Sequence, residues 1–492
     1  MNTRNSGAIT ERNGLPEEWE WSTLGDVSEK PQYGWTTKAN HNTGKLKLLR
    51  TTDITSGSVD WSSVPFCTVA PEDVEKYLVE SGDVLISRAG SVGVSFLIYK
   101  PERAVFASYL IRFHPKKEID TKYFYYYLKS PAYWEAIGAS KSGIAVPNVN
   151  ASKLAQVPIP VAPLDQQKRI VAEIEKQFSR LDEAVANLKR IKANLKRYKA
   201  AVLKAAVEGR LVETEAELAA QGRANVAGGT MPGATARQYE SGEELLKRIL
   251  AERRRKWEEN ELAKMKVQGK APKDDNWKKK YKEPAAPDTA DLPELPEGWS
   301  WVAVEQLSLQ VQYGYTASAV ARESGVRFLR ITDIQEDHVD WSTVPSCDIS
   351  AIEQQELLLQ CGDIVFARTG ATVGKSFQLK GKFPESVFAS YLIRISPHNV
   401  QTSDWLNVFF HSSEYWQQIR ASQAGIGQPN VNGTKLRGVL VPLPPLAEQH
   451  RIVAEVERRL SVIEELEAGV TANVQRATHL RRSVLQRAFV WN

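Results

Sequence analysis

The sequence predicts an α+β protein: two similar mixed α/β domains separated by a long antiparallel two-helix coiled coil, an internal duplication with a pseudo-twofold axis. Three observations predict it. The stretch FASYLIR occurs at 106–112 and again at 388–394, and further pairs keep the same offset. Each copy ends in a long segment with apolar residues at heptad-like steps. Each of those segments follows a Pro-rich stop, VPIPVAPL at 157–164 and VPLPPL at 441–446.

The remaining paired stretches set the repeat length. Tyr33-Gly34 matches Tyr313-Gly314, RTTDI at 50–54 matches RITDI at 330–334, and VDWS at 59–62 matches 339–342. PNVN at 147–150 matches 429–432, and RIVAE at 169–173 matches 451–455. A unit of about 200 residues is far longer than a solenoid repeat and reads as a whole domain plus a helix. Within the domains, DVLISRAG, VSFLIYK and FASYLIRF are strand-like. YFYYYLKS with SPAYWEAIG, and WLNVFFHSSEYWQQIR in the second copy, are helical. The aromatics there (Tyr123, Phe124, Tyr127 and Trp134) are expected in the core rather than free to stack on bases.

The helix stripe in the first copy runs through Ile174, Phe178, Leu181, Val185, Leu188, Ile191, Leu195, Tyr198 and Val202, with one stammer. In the second copy it runs through Val456, Leu460, Ile463, Leu466, Val470, Val474, Ala477, Leu480 and Val484. A helix of about 42 residues is roughly 60 Å long. So long and narrow a stripe needs an equally long partner, and the other copy supplies it. A local hop through the linker favours antiparallel pairing, with one domain at each end of the spacer.

The expected organisation is a flexible tail at 1–14, a first domain at 15–164 and a central spacer helix at 165–211. A flexible insertion at 212–240 follows, then a short basic helix at 241–262 opened by a Ser241/Glu244 capping box, and a linker at 263–294. The second domain spans 295–446 and the C-terminal spacer helix 447–490.

Composition excludes several classes. Lys+Arg 64 against Asp+Glu 59 gives +5. Segment 241–282 holds 14 Lys/Arg and 8 Asp/Glu, a net +6, so the rest of the chain sums to about −1. No apolar run approaches membrane-spanning length, and the polar N-terminus lacks the apolar stretch of a signal peptide, so no membrane association is expected. Three Cys point to a reducing, cytoplasmic setting; Cys67 and Cys347 hold matching places and read as buried packing. The seven His show no metal-ligand spacing, so no metal site is expected. GATVGKS at 370–376 resembles a phosphate-binding loop but has three residues between its glycines instead of four, and the other copy has no Lys. No methyltransferase or nuclease motif appears, so no catalytic residue is assigned.

Two similar domains without catalytic motifs suit two segments of one long ligand, and duplex DNA is such a ligand. Positions where the copies agree are candidates for backbone contact: Tyr33, Arg50 and Arg88, with Tyr313, Arg330 and Arg368. Arg50–Asp53 also reads as an internal ion pair, and Asn148 and Asn150 as turn and cap residues. Positions where exposed loops disagree are candidates for base readout, because Arg/Lys suit guanine, Asn/Gln adenine and Glu cytosine. In the first copy these are Thr36, Thr37, Lys38, Asn40, His41, Lys141 and Ser142. In the second they are Thr316, Ser318, Arg322, Glu323, Gln423 and Gln428. A plain variable surface loop is the competing reading.

With these features in place, the chain resembles the DNA-specificity subunits of type I restriction–modification systems. The resemblance rests on LPEEWEW and LPEGWSW from Leu15 and Leu295, on GDVLISRAGSVG and GDIVFARTGATVG from Gly82 and Gly362, and on PLDQQKRIVAEIE and PLAEQHRIVAEVE at the helix starts. It covers almost the whole chain. It implies two target-recognition domains, each reading one half of a bipartite, asymmetric double-stranded DNA site. It implies helices that set the gap and dock two methyltransferase subunits, joined by motor-nuclease subunits. S-adenosylmethionine, ATP and Mg are then expected on those partners and no cofactor on this chain. The insertion at 212–294 departs from the pattern. The alternative is a pseudo-dimeric protein-interaction scaffold that does not bind DNA.

Overall fold

The computed structural model describes residues 15–16, 18–139, 148–222, 239–272, 274–321, 325–335, 337–370, 372–423 and 430–489. The chain divides into two compact units, Met1–Ile191 with Gly469–Asn492, and Lys192–Ala468.

In the first unit a four-stranded sheet runs in the order Gln32–Tyr33, Leu110–Phe113, Val84–Ser87, Ser95–Leu97. A second sheet orders Ala39–Asn40, Phe66–Cys67, Lys47–Leu49 and Ala104–Phe106, its last pair parallel. The strand Glu20–Thr23 pairs antiparallel with Pro158–Val161 and so brings the domain's start to the foot of its long helix. Asp120 accepts from the backbone of Lys122 and Tyr123 and starts the helix Thr121–Tyr127. That helix buries Tyr123, Phe124 and Tyr127 beneath the first sheet, and Trp134 is half-buried nearby. Their place is the core.

The second unit repeats this plan. Its four-stranded sheet orders Ser308–Tyr313, Leu392–Pro397, Ile364–Ala367 and Ser376–Gln378. Arg327–Leu329 lies parallel to Ser386–Phe388, and Ser300–Ala303 pairs antiparallel with Leu440–Leu443. Asn399 caps the helix Val400–Phe410, which buries Trp405, Leu406, Phe409 and Phe410. Gly370 and residues 372–375 lie between the hairpin strands Ile364–Ala367 and Ser376–Gln378, where a phosphate-binding loop would lead into a helix. Of the two paired cysteines, Cys347 is buried, whereas Cys67 is only half-buried.

Both long helices have 44 residues, Leu164–Val207 and Leu446–Phe489. The first stops at Val207, short of the expected 211. Gly209 adopts φ +67° there, and Arg210 N donates to Ala205 O, a glycine-terminated helix end. In the first unit Arg481 lies over the Phe178 ring at 4.7 Å and ion-pairs with Asp182, while Leu485 and Phe489 join Val171 and Ile174 in the core. In the second unit Arg459 reaches the Tyr198 hydroxyl, and Val456 and Ile452 pack with Val202 and Ala206. In each unit, advance along one helix meets retreat along the other, so the pairing is antiparallel.

The seam differs from the predicted stripe. On the C-terminal helix Val456, Ile463, Val470 and Ala477 are buried at steps of seven, with Leu460, Glu467, Val474 and Arg481 half-buried between them. Leu466 is 50% exposed and Leu480 47% exposed, so neither belongs to the seam. On the central helix the half-buried row reads Phe178, Leu181, Val185, Leu188, Leu195 and Lys199; Ile191 and Tyr198 face outward. The heptad runs on unbroken because polar side chains occupy some of its positions. The stammer arose from stepping to the nearest apolar residue.

Among its described residues the insertion holds more regular structure than expected. Thr214 caps a helix at Glu215–Ala220 through a reciprocal bond with Glu217. The basic helix runs Gly242–Val267, beyond the expected 262, and buries Leu245 and Ile249 in the second unit's core. Part of the expected linker folds back as a 3-10 turn at Asp275–Lys280, with Trp277 stacked on Trp257 at 6.0 Å. Arg253 Nε donates to Ser308 O at 2.9 Å and fixes the helix to the sheet.

Candidate nucleic-acid interface

In the first unit the candidate face lies at one end of the four-stranded sheet. Tyr33 pairs with Ile111, and Ser87 with Leu110. Beyond these pairs Gly34 N donates to Leu110 O and Arg88 N to Tyr109 O. Trp35 N donates to Phe106 O at 2.7 Å, and Ser108 N returns a bond to Trp35 O. Only glycine fits at 34, since a Cβ would stand 2.2 Å from Phe106 O. The Tyr33 hydroxyl accepts from Ala151 N at 2.8 Å, and the Arg88 guanidinium lies 4.9 Å above the Tyr33 ring. Arg88 Nε reaches Asn148 Oδ1 at 3.4 Å. Asn150 caps the next helix turn by accepting from Lys153 N.

The second unit builds the same face. Tyr313 pairs with Ile393, Gly314 N donates to Leu392 O, and Arg368 N donates to Tyr391 O. The Tyr313 hydroxyl accepts from Gly433 N at 2.8 Å under the Arg368 guanidinium, 5.0 Å from the ring centroid. Asn432 caps through Lys435 N. One bond differs: Arg368 Nε and Asn430 Oδ1 are buried without partners, where Arg88 and Asn148 meet.

The arrangement separates the predicted arginines. Arg50 is held by both oxygens of Asp53 at 2.8 and 3.1 Å, and Arg330 by Asp333 at 2.7 and 3.0 Å. Donating to the Asp333 carboxylate holds the Arg330 guanidinium above its usual range. These two are internal ion pairs first. Arg88 and Arg368 have no carboxylate partner among the described residues, so their charge is available to an incoming anion.

The candidate readout residues also divide. Thr37 Oγ1 accepts from Val69 N, Asn40 Oδ1 from Asn42 N, and His41 Nε2 stands 3.5 Å from Arg50. All three are engaged in holding their own loop. The side chains of Thr36 and Lys38 are exposed with no hydrogen-bond partner among the described residues, as are those of Thr316 and Ser318 at the matching places; the Lys38 carbonyl accepts from Thr68. Lys141, Ser142, Arg322, Glu323 and Gln428 lie outside the described residues. So does the side chain of Gln423, which ends the helix Ser413–Gln423.

Sequence reasoning missed Tyr109 and Tyr391. They are exposed by 62% and 63% at the tip of this face, inside the FASYLIR repeat. That repeat is strand-like in sequence, and most of it is buried strand. The signal available was an aromatic shared by both copies at the turn between two strands. Among the described residues no helix is long and apolar enough to cross a membrane, and no group of three His, Cys, Asp or Glu could hold a metal.

The family profile for the type I restriction modification DNA specificity domain matches residues 16–197 and 317–476. The chain belongs to this family. It is similar along most of its length to the type I restriction enzyme EcoKI specificity subunit of Escherichia coli K12, at 24% identity over 96% of this chain and 89% of that one. The EcoBI specificity subunit of Escherichia coli is 22% identical over 92% of this chain and 80% of its own. Among solved structures, a chain from a study of complex assembly and conformational transition of the type I R-M system has TM-score 0.62 at 18% identity, covering 96% of this chain and 98% of its own. The HsdS subunit from Thermoanaerobacter tengcongensis has TM-score 0.51 at 17% identity, covering 96% and 97%. At these identities the two solved structures speak to the fold.

Proposed function

We propose that this chain is the sequence-specific DNA-binding subunit of a type I restriction–modification complex, each domain reading one half of a bipartite, asymmetric duplex site. One observation carries the reading. The same Tyr–Arg stack, its guanidinium without a carboxylate partner among the described residues, recurs in both domains, while the exposed residues beside it differ: Thr36 and Lys38 in one, Thr316 and Ser318 in the other. A shared grip with divergent neighbours suits phosphate contact in both half-sites and different bases in each. Family membership disfavours the protein scaffold that does not bind DNA.

In this reading the chain does no chemistry. The paired helices set the gap between half-sites and dock two methyltransferase subunits, and motor-nuclease subunits complete the assembly. S-adenosylmethionine binds to the methyltransferases, ATP and Mg to the motor-nuclease subunits. Replacing loop 35–47 by the sequence of 315–327 is expected to change the first half of the methylated motif and leave the second half unchanged. Methylome sequencing of a host expressing the complex reads both halves at once. A motif altered in both halves, or in neither, overturns the modular reading.

A further inference from the structure

Tyr109 and Tyr391 stand apart within the repeat that contains them. Phe106, Leu110 and Ile111 are fully buried, as are Phe388, Leu392 and Ile393. Arg112 and Arg394 hold buried carboxylates, Asp83 and Asp363, at 3.5 Å. Core packing and the ion pair therefore account for those positions in both copies. Neither accounts for a tyrosine that is nearly two-thirds exposed, and packing alone would accept Ser or Lys there.

The surroundings of this tyrosine are the same in each unit. Its carbonyl accepts from Arg88 N or Arg368 N at 2.9 and 3.0 Å. The residue before it, Ser108 or Ser390, is bound to the carbonyl of Trp35 or Tyr315. The residue after it, Leu110 or Leu392, accepts from Gly34 or Gly314. The ring thus rises from a backbone tied on both sides, between the arginine that has no carboxylate partner among the described residues and the strand that leads into the variable loop. A ring with few rotatable bonds on a fixed backbone loses little entropy when it is covered. Its apolar face and terminal hydroxyl suit a surface that is apolar at the sugars and anionic at the phosphates.

We propose that Tyr109 and Tyr391 are sequence-independent anchors on duplex DNA, each ring lying against the sugar–phosphate backbone with its hydroxyl donating to a phosphate oxygen. This rests on the DNA-specificity reading above and adds to it a division of labour. The tyrosine and its arginine neighbour supply affinity in the same way in both half-sites. The loop beside them supplies the choice of base.

The test uses the assembled complex with its methyltransferase subunits. Duplex binding is measured by fluorescence anisotropy on a cognate site and on duplexes with either half-site scrambled. Tyr109→Ala or Tyr391→Ala is expected to weaken binding about tenfold on every duplex, and the two together by about the product. Tyr109→Phe and Tyr391→Phe keep the ring and are expected to lose about threefold. The methylated motif stays unchanged in all of them. Exposed positions tolerate these changes, and an unaltered thermal midpoint in each variant verifies folding. Unchanged affinity in the Ala variants overturns the proposal. So does a change of base preference in one half-site, which would make the ring a reader. A wild-type complex that fails to separate cognate from scrambled duplex overturns the specificity reading instead, while the tyrosine effect on total duplex affinity still decides this one.

Discussion

The two domains fasten the same helix to the same spacer with opposite charges. In the first, Lys122 on the helix Thr121–Tyr127 donates to Glu175 of the long helix at 2.6 Å. In the second, the matching helix carries Asp404, and the matching spacer residue, Glu457, is again acidic. Two carboxylates cannot join, so Lys380 from the neighbouring strand end reaches both, at 3.2 Å to Asp404 and 2.9 Å to Glu457. Tyr99 holds the place of Lys380 in the first domain, exposed, with Lys100 5.3 Å from its ring centroid. The contact has outlived the residues that made it. The copies share a lysine that joins helix to spacer and differ in the position that supplies it.

Buried charge should expose the largest difference between them. In the second domain Asp363 and Arg394 are both about 95% buried; burial raises the Asp363 carboxyl and pulls the Arg394 guanidinium down, each opposed by the other's charge. Among the described residues Asp363 also accepts from Ser396 Oγ at 2.7 Å and Gln360 N at 2.9 Å. In the first domain Asp83 has the same kind of backbone partner in Glu80 N at 2.8 Å, but His114 Nδ1 at 2.9 Å stands where the second domain has the Ser396 hydroxyl. Arg394→Met is therefore expected to cost about 3–5 kcal/mol, as an uncompensated buried carboxylate does, and Arg112→Met about 2 kcal/mol. Denaturant unfolding of each variant reads the gap. Equal losses would show that His114 does not stand in for the arginine.

A second asymmetry lies where the long helices begin. Trp19 Nε1 donates to Gln166 Oε1 at 3.1 Å, an uncharged pair. In the second domain Trp299 Nε1 donates to Glu448 Oε1 at 2.9 Å, and Glu215 N to Glu448 Oε2 at 3.0 Å. Glu215 itself is fully buried and ion-paired with Arg451. Burial pushes the Glu448 carboxyl up to about 7 from 4.5; the hydrogen bonds from Glu215 N and Trp299 and the charge of Arg451 lower it, and the Glu215 carboxylate raises it. A raised carboxyl favours the fold while protonated. Its contribution is fully present below pH 4.5 and is lost as the pH rises through about 7. At about 1.4 kcal/mol per pKa unit the loss approaches about 3 kcal/mol by pH 8. Glu448→Gln reproduces the first domain's residue and is expected to remove that slope, at a fixed cost of about 1 kcal/mol for the unmet Glu215 N–H. Denaturation at pH 5 and pH 8 checks it, and an unchanged slope would place the titration elsewhere.

These comparisons show which parts of the molecule were legible in its sequence. The duplication, the strands around FASYLIR and the core role of Tyr123 and Phe124 could be read because burial leaves a run of apolar letters. The helix seam was read one residue off at Leu466 and Tyr198, because polar Glu467 and Lys199 hold its positions and periodicity follows only apolar residues. The order at Glu215–Ala220 was hidden by Ala- and Gly-rich surroundings, although Thr214 and Glu217 spelled a capping box. At the candidate interface the shared Tyr33 and Arg88 were visible as agreements between copies. Their stacking is a matter of geometry, whereas the Arg50–Asp53 ion pair is already a competing reading of the sequence. Tyr109 was hidden by its buried neighbours.

The charge exchange that opens this comparison makes the smallest and sharpest prediction. Lys122 and Lys380 are each about half exposed, so solvent and salt screen their pairs. Lys122→Ala is expected to cost about 0.5 kcal/mol or less, as exposed pairs do. Lys380→Ala removes two contacts and leaves Asp404 near Glu457, so its cost should reach about 1 kcal/mol in low salt and shrink in high salt. Combining Asp404→Lys with Lys380→Tyr rebuilds the first domain's arrangement inside the second. If a lysine bridge from helix to spacer is what the copies preserve, that double variant should be nearly as stable as the parent, while each single change is worse. A thermodynamic cycle over the four proteins gives the coupling directly. Additive losses would mean that the two lysines merely decorate an interface already held by its apolar core.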